Sequence, residues 1–561
     1  MSFSALFKRL YNIESAVFLA SFLLRAVLGL WFFHLYGHDI LSFANSDALG
    51  YINNAQHLVA GEGFREEGML SALRTPLYPL FLAGLLALKL PLILLPLFQA
   101  LLFSATAVIV YKIGALLFSK RAGAIAGVLF AIEPFMAVMS NLATPETLFL
   151  FFLLLFLYLF SQYCFREKRD ALLLFLSGVV LALAVLTKPV GLYLPLLLAI
   201  FLLIFGVRRG GWKKAFAMAA LFLFAFSVTV FPWSLRQKLF FDSWQLSNSG
   251  TYMLYTRVLP IAVAEERGVS YEEAARILLK EELPQKIPNF DPMAMEYSFA
   301  YDAYLKKDAG ERIARYRGAI FKFYLFSTVS GFFGTGYDYL LEEFGFARNY
   351  VRESFTQKLL AGDIAGFVAT FFRMDVFQFA VIAGGLVWLL AYLCIGGSIW
   401  KGLRDERYRT GFILLLVLVC YFVFFSLGPQ ARARYRVPSY PFLFLLVGFS
   451  LDLIMGALYD WSRTVKIHKK YSWIFDFIDY SKSRVATGLI GTLVLFAFAD
   501  TMGFNAWMVN LAWIPFSFVL SFGLIKLFER RMATSTTGKL KKLLLKEDDA
   551  SKDIAGNSGL Q

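Results

Sequence analysis

The stretch ALLLFLSGVVLALAVL at residues 171–186 runs for sixteen residues without a charge, between the cations Arg166, Lys168 and Arg169 and the pair Lys188-Pro189. A helix that crosses about 30 Å of hydrocarbon needs about 20 predominantly apolar residues, so with its flanks this run has the size of a membrane span. Similar runs occur at 149–160 and 412–427. One such run is compatible with a buried helix in a soluble protein, but about a dozen are not. The composition agrees, because 561 residues that are 58% hydrophobic and only 17% charged, with a mean hydropathy of +0.62, expose more apolar surface than water tolerates. The solvent is lipid, and the fold class is an all-α, polytopic membrane helix bundle.

The first apolar stretch, 16–35, follows Lys8 and Arg9, carries Arg25 and lacks a small-residue cleavage site. It reads as a retained helix rather than a cleaved signal peptide. Cys164, Cys394 and Cys420 lie in or beside apolar segments with no metal-ligand spacing between them, which gives neither a disulfide framework nor a zinc site. A net charge of +15 can mean a nucleic-acid partner, but here the cations cluster in short loops between apolar runs, as the positive-inside bias requires. No nucleic-acid partner is expected.

Those clusters set the topology. Lys112, Lys120 and Arg121 form one; Arg166, Lys168 and Arg169 the next; then come Arg208, Arg209, Lys213 and Lys214, and Lys401, Arg404, Arg407 and Arg409. Arg463, Lys466, Lys469, Lys470, Lys482 and Arg484 follow, and the tail from 526 to 546 is basic again. With all of them cytoplasmic, a consistent path has about 12 spans and both termini inside. The expected spans are 16–35, 92–111, 122–140, 147–163, 171–188, 191–206, 215–233, 376–399, 411–427, 440–457, 485–503 and 508–527. This divides the chain into a membrane core over 1–460, a cytoplasmic loop with the last spans over 461–527, and a basic tail over 528–561 that need not fold.

Outside lie a first loop at 36–91, the short segments at 141–146 and around Lys188, a long stretch at 234–375, and 428–439. Within the first loop, the apolar run 77–90 is broken by Pro79, preceded by Pro76, and too short to span, so it reads as an interfacial helix. In the long stretch, charges alternate with Ala, Ile and Leu at helical spacing over 262–283, and a polar-to-apolar segment follows at 308–333. Together they predict an outer helical cap.

Chemistry is sought among the outer residues. Asp47, in Asn45-Ser46-Asp47-Ala48-Leu49-Gly50-Tyr51, suits the first turn of a helix through capping and the helix dipole. It equally suits a carboxylate at the membrane surface that takes a proton from a hydroxyl nucleophile, and spacing alone does not separate the two. Downstream stands Leu73-Arg74-Thr75-Pro76-Leu77-Tyr78-Pro79, a cation and a Pro-bracketed aromatic where the chain re-enters the membrane. His34, His38 and His57 are in or near this loop without verifiable metal spacing.

The sequence Asp-x-x-Gly-Tyr, a helix, Gly-x-Gly-Phe and then Arg-Thr-Pro-Leu-Tyr-Pro resembles the first outer loop of the GT-C superfamily of membrane glycosyltransferases that use lipid-phosphate sugars. The protein O-mannosyltransferase and aminoarabinose–lipid A transferase branch is the nearest in look. The resemblance continues at Thr144-Pro145-Glu146-Thr147, where the family carries a second outer acidic residue, and at Phe231-Pro232-Trp233-x-x-Arg236, which is similar to its Pro-Trp-x-x-Arg. It covers roughly 16–460 in layout. Two departures stand out: the second acid is Glu146 rather than Asp, and Asn45-Ser46-Asp47 lacks the first-loop signature of the metal-dependent oligosaccharyltransferase branch. A divalent metal is left open, with nothing in the sequence to support one.

The outer cations point the same way independently, since they run against the positive-inside bias. Lys188 and Arg236 end spans on that side, and Gln430-Ala431-Arg432-Ala433-Arg434-Tyr435-Arg436 places three arginines at alternate positions, all on one face if extended, or Arg432 and Arg436 on one face if helical, a multidentate anion site either way. Arginine holds phosphate through bidentate, charge-assisted contacts, and a lipid phosphate gains charge as the sugar bond breaks. Glu133 is a carboxylate inside an apolar segment, a costly and often functional placement.

The resulting expectation is a single-sugar transferase with a polyprenyl-phosphate-linked donor and a protein, lipid or glycan acceptor, working on the non-cytoplasmic face of a plasma or inner membrane, among membrane lipids. By the resemblance it inverts the anomeric carbon, with Asp47 as base. Arg432, Arg434, Arg436 and Lys188 would hold phosphate, and Arg74, Tyr78, Glu146 and Arg236 would position donor or acceptor. The rival readings are a lipid-linked glycan flippase or transporter, and a polysaccharide polymerase or ligase.

Overall fold

The computed structural model describes residues 12–37, 46–91, 94–166, 170–336, 365–366, 376–427 and 433–464. Met1–Met455 is one compact unit, which holds the helix bundle, the first loop and the outer cap. Among the described residues, eight helices are long and apolar enough to cross a membrane: Ile13–His34, Leu95–Leu117, Glu146–Phe165, Pro189–Val207, Trp212–Phe241, Gly384–Arg404, Glu406–Ser426 and Arg434–Leu458.

The expected count of 12 is therefore not reached. Two of the twelve, 485–503 and 508–527, lie outside the described residues, as do the basic loop and tail. The span expected at 122–140 is two helices, Lys120–Ile132 and Pro134–Met139. The ring of Pro134 forces Glu133 out of the helical region, to φ −60° and ψ 121°, and the Glu133 carboxylate caps the second helix by accepting from the Met136 N–H at 2.6 Å. The helix expected at 171–188 is Ala171–Thr187, 17 residues long. At 1.5 Å per residue it measures about 26 Å, shorter than the hydrocarbon layer. Lys188-Pro189 ends it by the same proline effect, with Lys188 extended at φ −149° and ψ 118°. By contrast, the helix expected to finish at 233 runs on through Pro232 to Phe241.

Lipid tails are as apolar as leucine, so these helices gain little by hiding apolar surface from one another. Small residues that let backbones approach supply the packing instead. At the crossing of Leu95–Leu117 with Lys120–Ile132, a methyl group on Gly123 would stand 2.4 Å from the Tyr111 carbonyl oxygen and 2.6 Å from the Ala115 nitrogen. Between the same two helices Phe103 stacks on Phe130 at 4.6 Å, and the buried Arg25 of the first helix lies 3.6 Å from the centre of the Phe103 ring. Arg25 also donates to the Ala131 carbonyl at 2.6 Å, which ties the Ile13–Tyr36 helix to the end of Lys120–Ile132.

The first loop contains the helix Ser46–Val59, a two-stranded antiparallel hairpin pairing Arg65–Glu66 with Met69–Leu70, and the helix Leu77–Ala87. Among the described residues the hairpin is the exception to otherwise helical structure. Its two turn residues, Glu67 and Gly68, both have positive φ, 48° and 78°, as a tight hairpin turn demands. The outer cap has its own apolar core of Tyr255, Leu259, Leu278, Leu283 and Leu305. The helix read at 262–283 is interrupted by Gly268, whose φ of +67° ends Leu259–Arg267 before Tyr271–Arg276 begins. The segment read as continuous from 308 is likewise split at Tyr316 into Asp302–Arg315 and Arg317–Phe333. Inside the cap, Arg312 pairs with Asp308, Glu266 and Glu282. The cap is joined to the first loop by backbone bonds from Ala72 N–H to the Tyr297 carbonyl, 2.7 Å, and from Asn248 N–H to the Ala72 carbonyl, 3.1 Å.

Candidate active site

Asp47 lies in the first turn of Ser46–Val59, Glu146 opens Glu146–Phe165, Lys188 follows Ala171–Thr187, and Arg434 precedes the helix Tyr440–Thr464. Four separate elements thus bring their ends together. Arg434 stands between the two acids. Its Nη1 donates to Asp47 Oδ2 at 2.8 Å and its Nε to Glu146 Oε1 at 2.8 Å. Lys188 Nζ donates to the same Glu146 oxygen at 3.0 Å. On the far side of Asp47, Arg74 Nη2 is 3.6 Å from Oδ1, and Arg74 Nε is bonded to Glu66. The result is an unbroken alternation of Lys188, Glu146, Arg434, Asp47, Arg74 and Glu66.

Burial divides these groups. The Glu146 and Glu66 side chains are each 2% exposed, whereas that of Asp47 is 45% exposed. Asp47 is therefore the acid of the three that solvent reaches. Burial resists its ionisation, but the guanidinium groups of Arg434 and Arg74 outweigh that and hold its carboxyl below the usual aspartate range. Arg74 is fixed from several sides, with its guanidinium 4.1 Å above the Tyr51 ring. It crosses the helix at Gly50, where a methyl group would stand 2.4 Å from Arg74 Nη2 and 2.7 Å from Glu66 Oε1. Only glycine leaves that room.

The remaining candidates are placed differently. Arg436 is fully buried and donates to the Phe332 carbonyl, to Tyr392 Oη at 3.0 Å and to Tyr440 Oη at 2.8 Å, with its guanidinium 4.4 Å from the Trp388 ring centre. The segment Ala433–Ser439 is a 3₁₀ helix rather than an extended strand, and at three residues per turn positions 434 and 436 face different ways. The two arginines are not brought together, and Arg432 lies outside the described residues. Tyr78 is buried and donates to Gln99 Oε1 at 3.1 Å, edge-on to Tyr51 at 5.1 Å. Arg236 lies 4.8 Å from the Trp233 ring centre and donates to the Ser71 carbonyl at 3.0 Å. It anchors the segment that leads to Arg74 without touching Asp47, Glu146 or Glu66. His57 pairs with Glu62 at 2.6 Å, and His38 lies outside the described residues. Among the described residues, no group of three or more His, Cys, Asp or Glu is placed to hold a metal ion.

The sequence reading missed Glu66, which also accepts from Ser71 Oγ at 3.1 Å, and Gln99. The hairpin turn Glu66-Glu67-Gly68 carries the signal for the first, since it marks a reversal that folds its flanking residues onto the chain beyond the turn. Nothing local marks the second.

The described helices make this a multi-pass integral membrane protein. Residues 74–233 match the family described as dolichyl-phosphate-mannose-protein mannosyltransferase. The matched segment opens on Arg74, includes Tyr78, Glu146 and Lys188, and closes on Trp233. A search of curated proteins gives no match. Among solved structures, the chain is similar to the Archaeoglobus fulgidus oligosaccharyltransferase in complex with Zn and sulfate, at 14% identity and a TM-score of 0.44 over 92% of this chain and 53% of that one. It is also similar to ArnT from Cupriavidus metallidurans bound to undecaprenyl phosphate, at 15% identity and 0.42 over 90% and 69%. A third is the oligosaccharyltransferase AglB from Archaeoglobus fulgidus in complex with an inhibitory peptide and a dolichol-phosphate, at 13% identity and 0.45 over 91% and 56%. The chain thus spans little more than half the length of these oligosaccharyltransferases.

Proposed function

We propose that the protein transfers one sugar from a polyprenyl-phosphate-linked donor to a hydroxyl acceptor by direct displacement, with inversion at the anomeric carbon. The observation that carries this reading is the partly exposed Asp47 between two largely buried arginines. A base for this reaction must be ionised, reachable by the acceptor and beside cations that hold the leaving phosphate. Asp47 takes the acceptor proton as its oxygen attacks the anomeric carbon. The bonding electrons of the sugar–phosphate bond leave on the lipid phosphate, which Arg434, Lys188 and Arg74 stabilise. Glu146 holds Arg434 and Lys188 in place from beneath. The description of the matched family names a lipid-phosphate-linked mannose as donor, which supports that donor class.

The site faces the non-cytoplasmic side in this reading. Helices that follow one another through short connections run in opposite directions. The ends that carry Glu146 and Lys188 are therefore opposite the ends that carry Lys120, Arg121, Lys213, Lys214, Arg404 and Arg407. The positive-inside bias puts those latter ends in the cytoplasm.

The test is release of free polyprenyl phosphate from wild-type and Asp47→Asn protein in nanodiscs, with a panel of polyprenyl-phosphate sugars and a membrane extract as acceptor. Loss of a general base lowers rate by about 10²–10⁴-fold, so the variant should fold and bind donor yet turn over at that fraction. Wild-type turnover in the variant would remove Asp47 from the chemistry. The buried Arg25 and Glu133 give the transporter reading its one foothold, because ionisable groups inside a bundle often line a pathway. Donor moved across the bilayer without release of lipid phosphate would favour it.

A further inference from the structure

We infer that Gln99, buried beneath the site and in contact with none of its acids, is a positioning residue that joins the Glu146 side of the site to the Arg74 side. Gln99 is 1% exposed in the first turn of Leu95–Leu117. Its side-chain amide has two N–H donors and a carbonyl acceptor, and each is used. Nε2 donates to the Ser140 carbonyl at 3.0 Å and to the Leu142 carbonyl at 2.7 Å, and Oε1 accepts from Tyr78 Oη at 3.1 Å. This pattern also fixes which way the amide is turned, because the reverse orientation would set its oxygen against two carbonyl oxygens.

Each partner leads to a charged residue of the site. Ser140 and Leu142 follow the helix Pro134–Met139, where carbonyls have no partner within the helix, and Glu146 comes four residues after Leu142. The whole connection from Ser140 to Pro145 is buried. Gln99 is therefore what fixes the height at which Glu146 enters its own helix, and Glu146 in turn holds Arg434 and Lys188. On the other arm, Tyr78 follows Arg74 by four residues, and its ring meets edge-on the Tyr51 ring that supports the Arg74 guanidinium. Gln99 thus fixes the distance between the cations on either side of Asp47. An apolar side chain of this size makes none of these bonds, and a glutamate offers no pair of donors.

This inference rests on the transferase reading for its kinetic consequence, but its structural half is measured without substrate. In nanodiscs, Gln99→Leu should raise backbone hydrogen exchange at Asn141, Leu142 and Thr144 by about tenfold or more while distant helices keep their protection. In the transferase assay its KM for donor should rise by about tenfold, because misplacement of supporting groups by about 1 Å costs that much or more. Gln99→Glu gives a readout that a merely space-filling role would not move. When protonated, its carboxyl supplies one O–H to the 140–142 carbonyls; when ionised it supplies none. The activity of Gln99→Glu relative to wild type should therefore fall as pH rises.

Where Gln99→Leu does not fold, Gln99→Glu and Tyr78→Phe decide. Tyr78→Phe breaks the Tyr78 arm alone and should loosen residues around 74–80 while leaving 140–144 protected. Unchanged exchange at 141–144 in the Gln99 variants, or a Gln99→Glu activity ratio flat with pH, overturns the inference. A wild-type protein that releases no polyprenyl phosphate from any donor overturns the transferase reading instead, and the exchange measurements then decide the role of Gln99 by themselves.

Discussion

Asp47 has two positively charged neighbours and one open side, and its pH behaviour follows from that. Because Arg434 and Arg74 depress its pKa, the Asp47 carboxylate, the base of the proposed reaction, stays ionised below the ordinary aspartate value of about 3.9. The acid limb of kcat/KM should fall only below that value, and Arg74→Gln should move the limb upward. A limb at the ordinary value in both proteins would mean that the pairing has no influence on the base. The same sign applies to stability: the contribution of this carboxylate is present above about pH 3.9 and disappears as pH falls through the depressed value. Gly50 offers a second test at this scale. Gly50→Ala puts a methyl group where Arg74 Nη2 lies, so kcat/KM should fall by about tenfold or more in a folded protein. Undiminished activity would mean that Arg74 works from another position.

Helix ends are the legible elements. Glu146, Lys188 and Arg434 can be found from sequence because each flanks an apolar run, and a bundle that folds back and forth must bring such ends to one of two surfaces; Asp47 is found instead as the acid of the first-loop motif. Only an extended strand would group Arg436 with Arg434. Its divergence follows from a 3₁₀ turn that ends just past Pro438, a backbone detail with no hydrophobic periodicity to betray it. Hydropathy also runs straight through Glu133-Pro134, where the proline rule alone would break the span. Gln99 is unreadable for another reason, since a buried polar residue of this kind is defined by distant partners that no local pattern encodes. At this scale packing makes its own prediction. Gly123→Ala sets a methyl group against the Tyr111 carbonyl and must push the crossing helices apart, at a cost of about 1–3 kcal/mol. Its thermal midpoint in detergent should fall measurably, while Gly310→Ala, inside the helix Asp302–Arg315 where a methyl group meets nothing within 4 Å, should not lower it.

Among the described residues of Met1–Met455, apolar helices separate two sets of charged ends, one rich in cations and the other alternating in sign. The first orients the protein, and the second does its chemistry in the proposed reaction. Nothing in this arrangement selects the sugar. The cap reaches the first loop through Ala72, two residues before Arg74, so an acceptor that moves the cap also moves the segment that carries an arginine of the site. The one-for-one alternation has a kinetic corollary. Among the described residues, the three cations and three carboxylates of this row balance in charge. A lipid-linked sugar phosphate brings one negative charge, but the spent carrier, a phosphate monoester with a second pKa of about 6, brings nearly two. In the proposed reaction the site would therefore hold the spent lipid phosphate more firmly than the donor. Turnover should begin with a burst and then be paced by the departure of the used lipid.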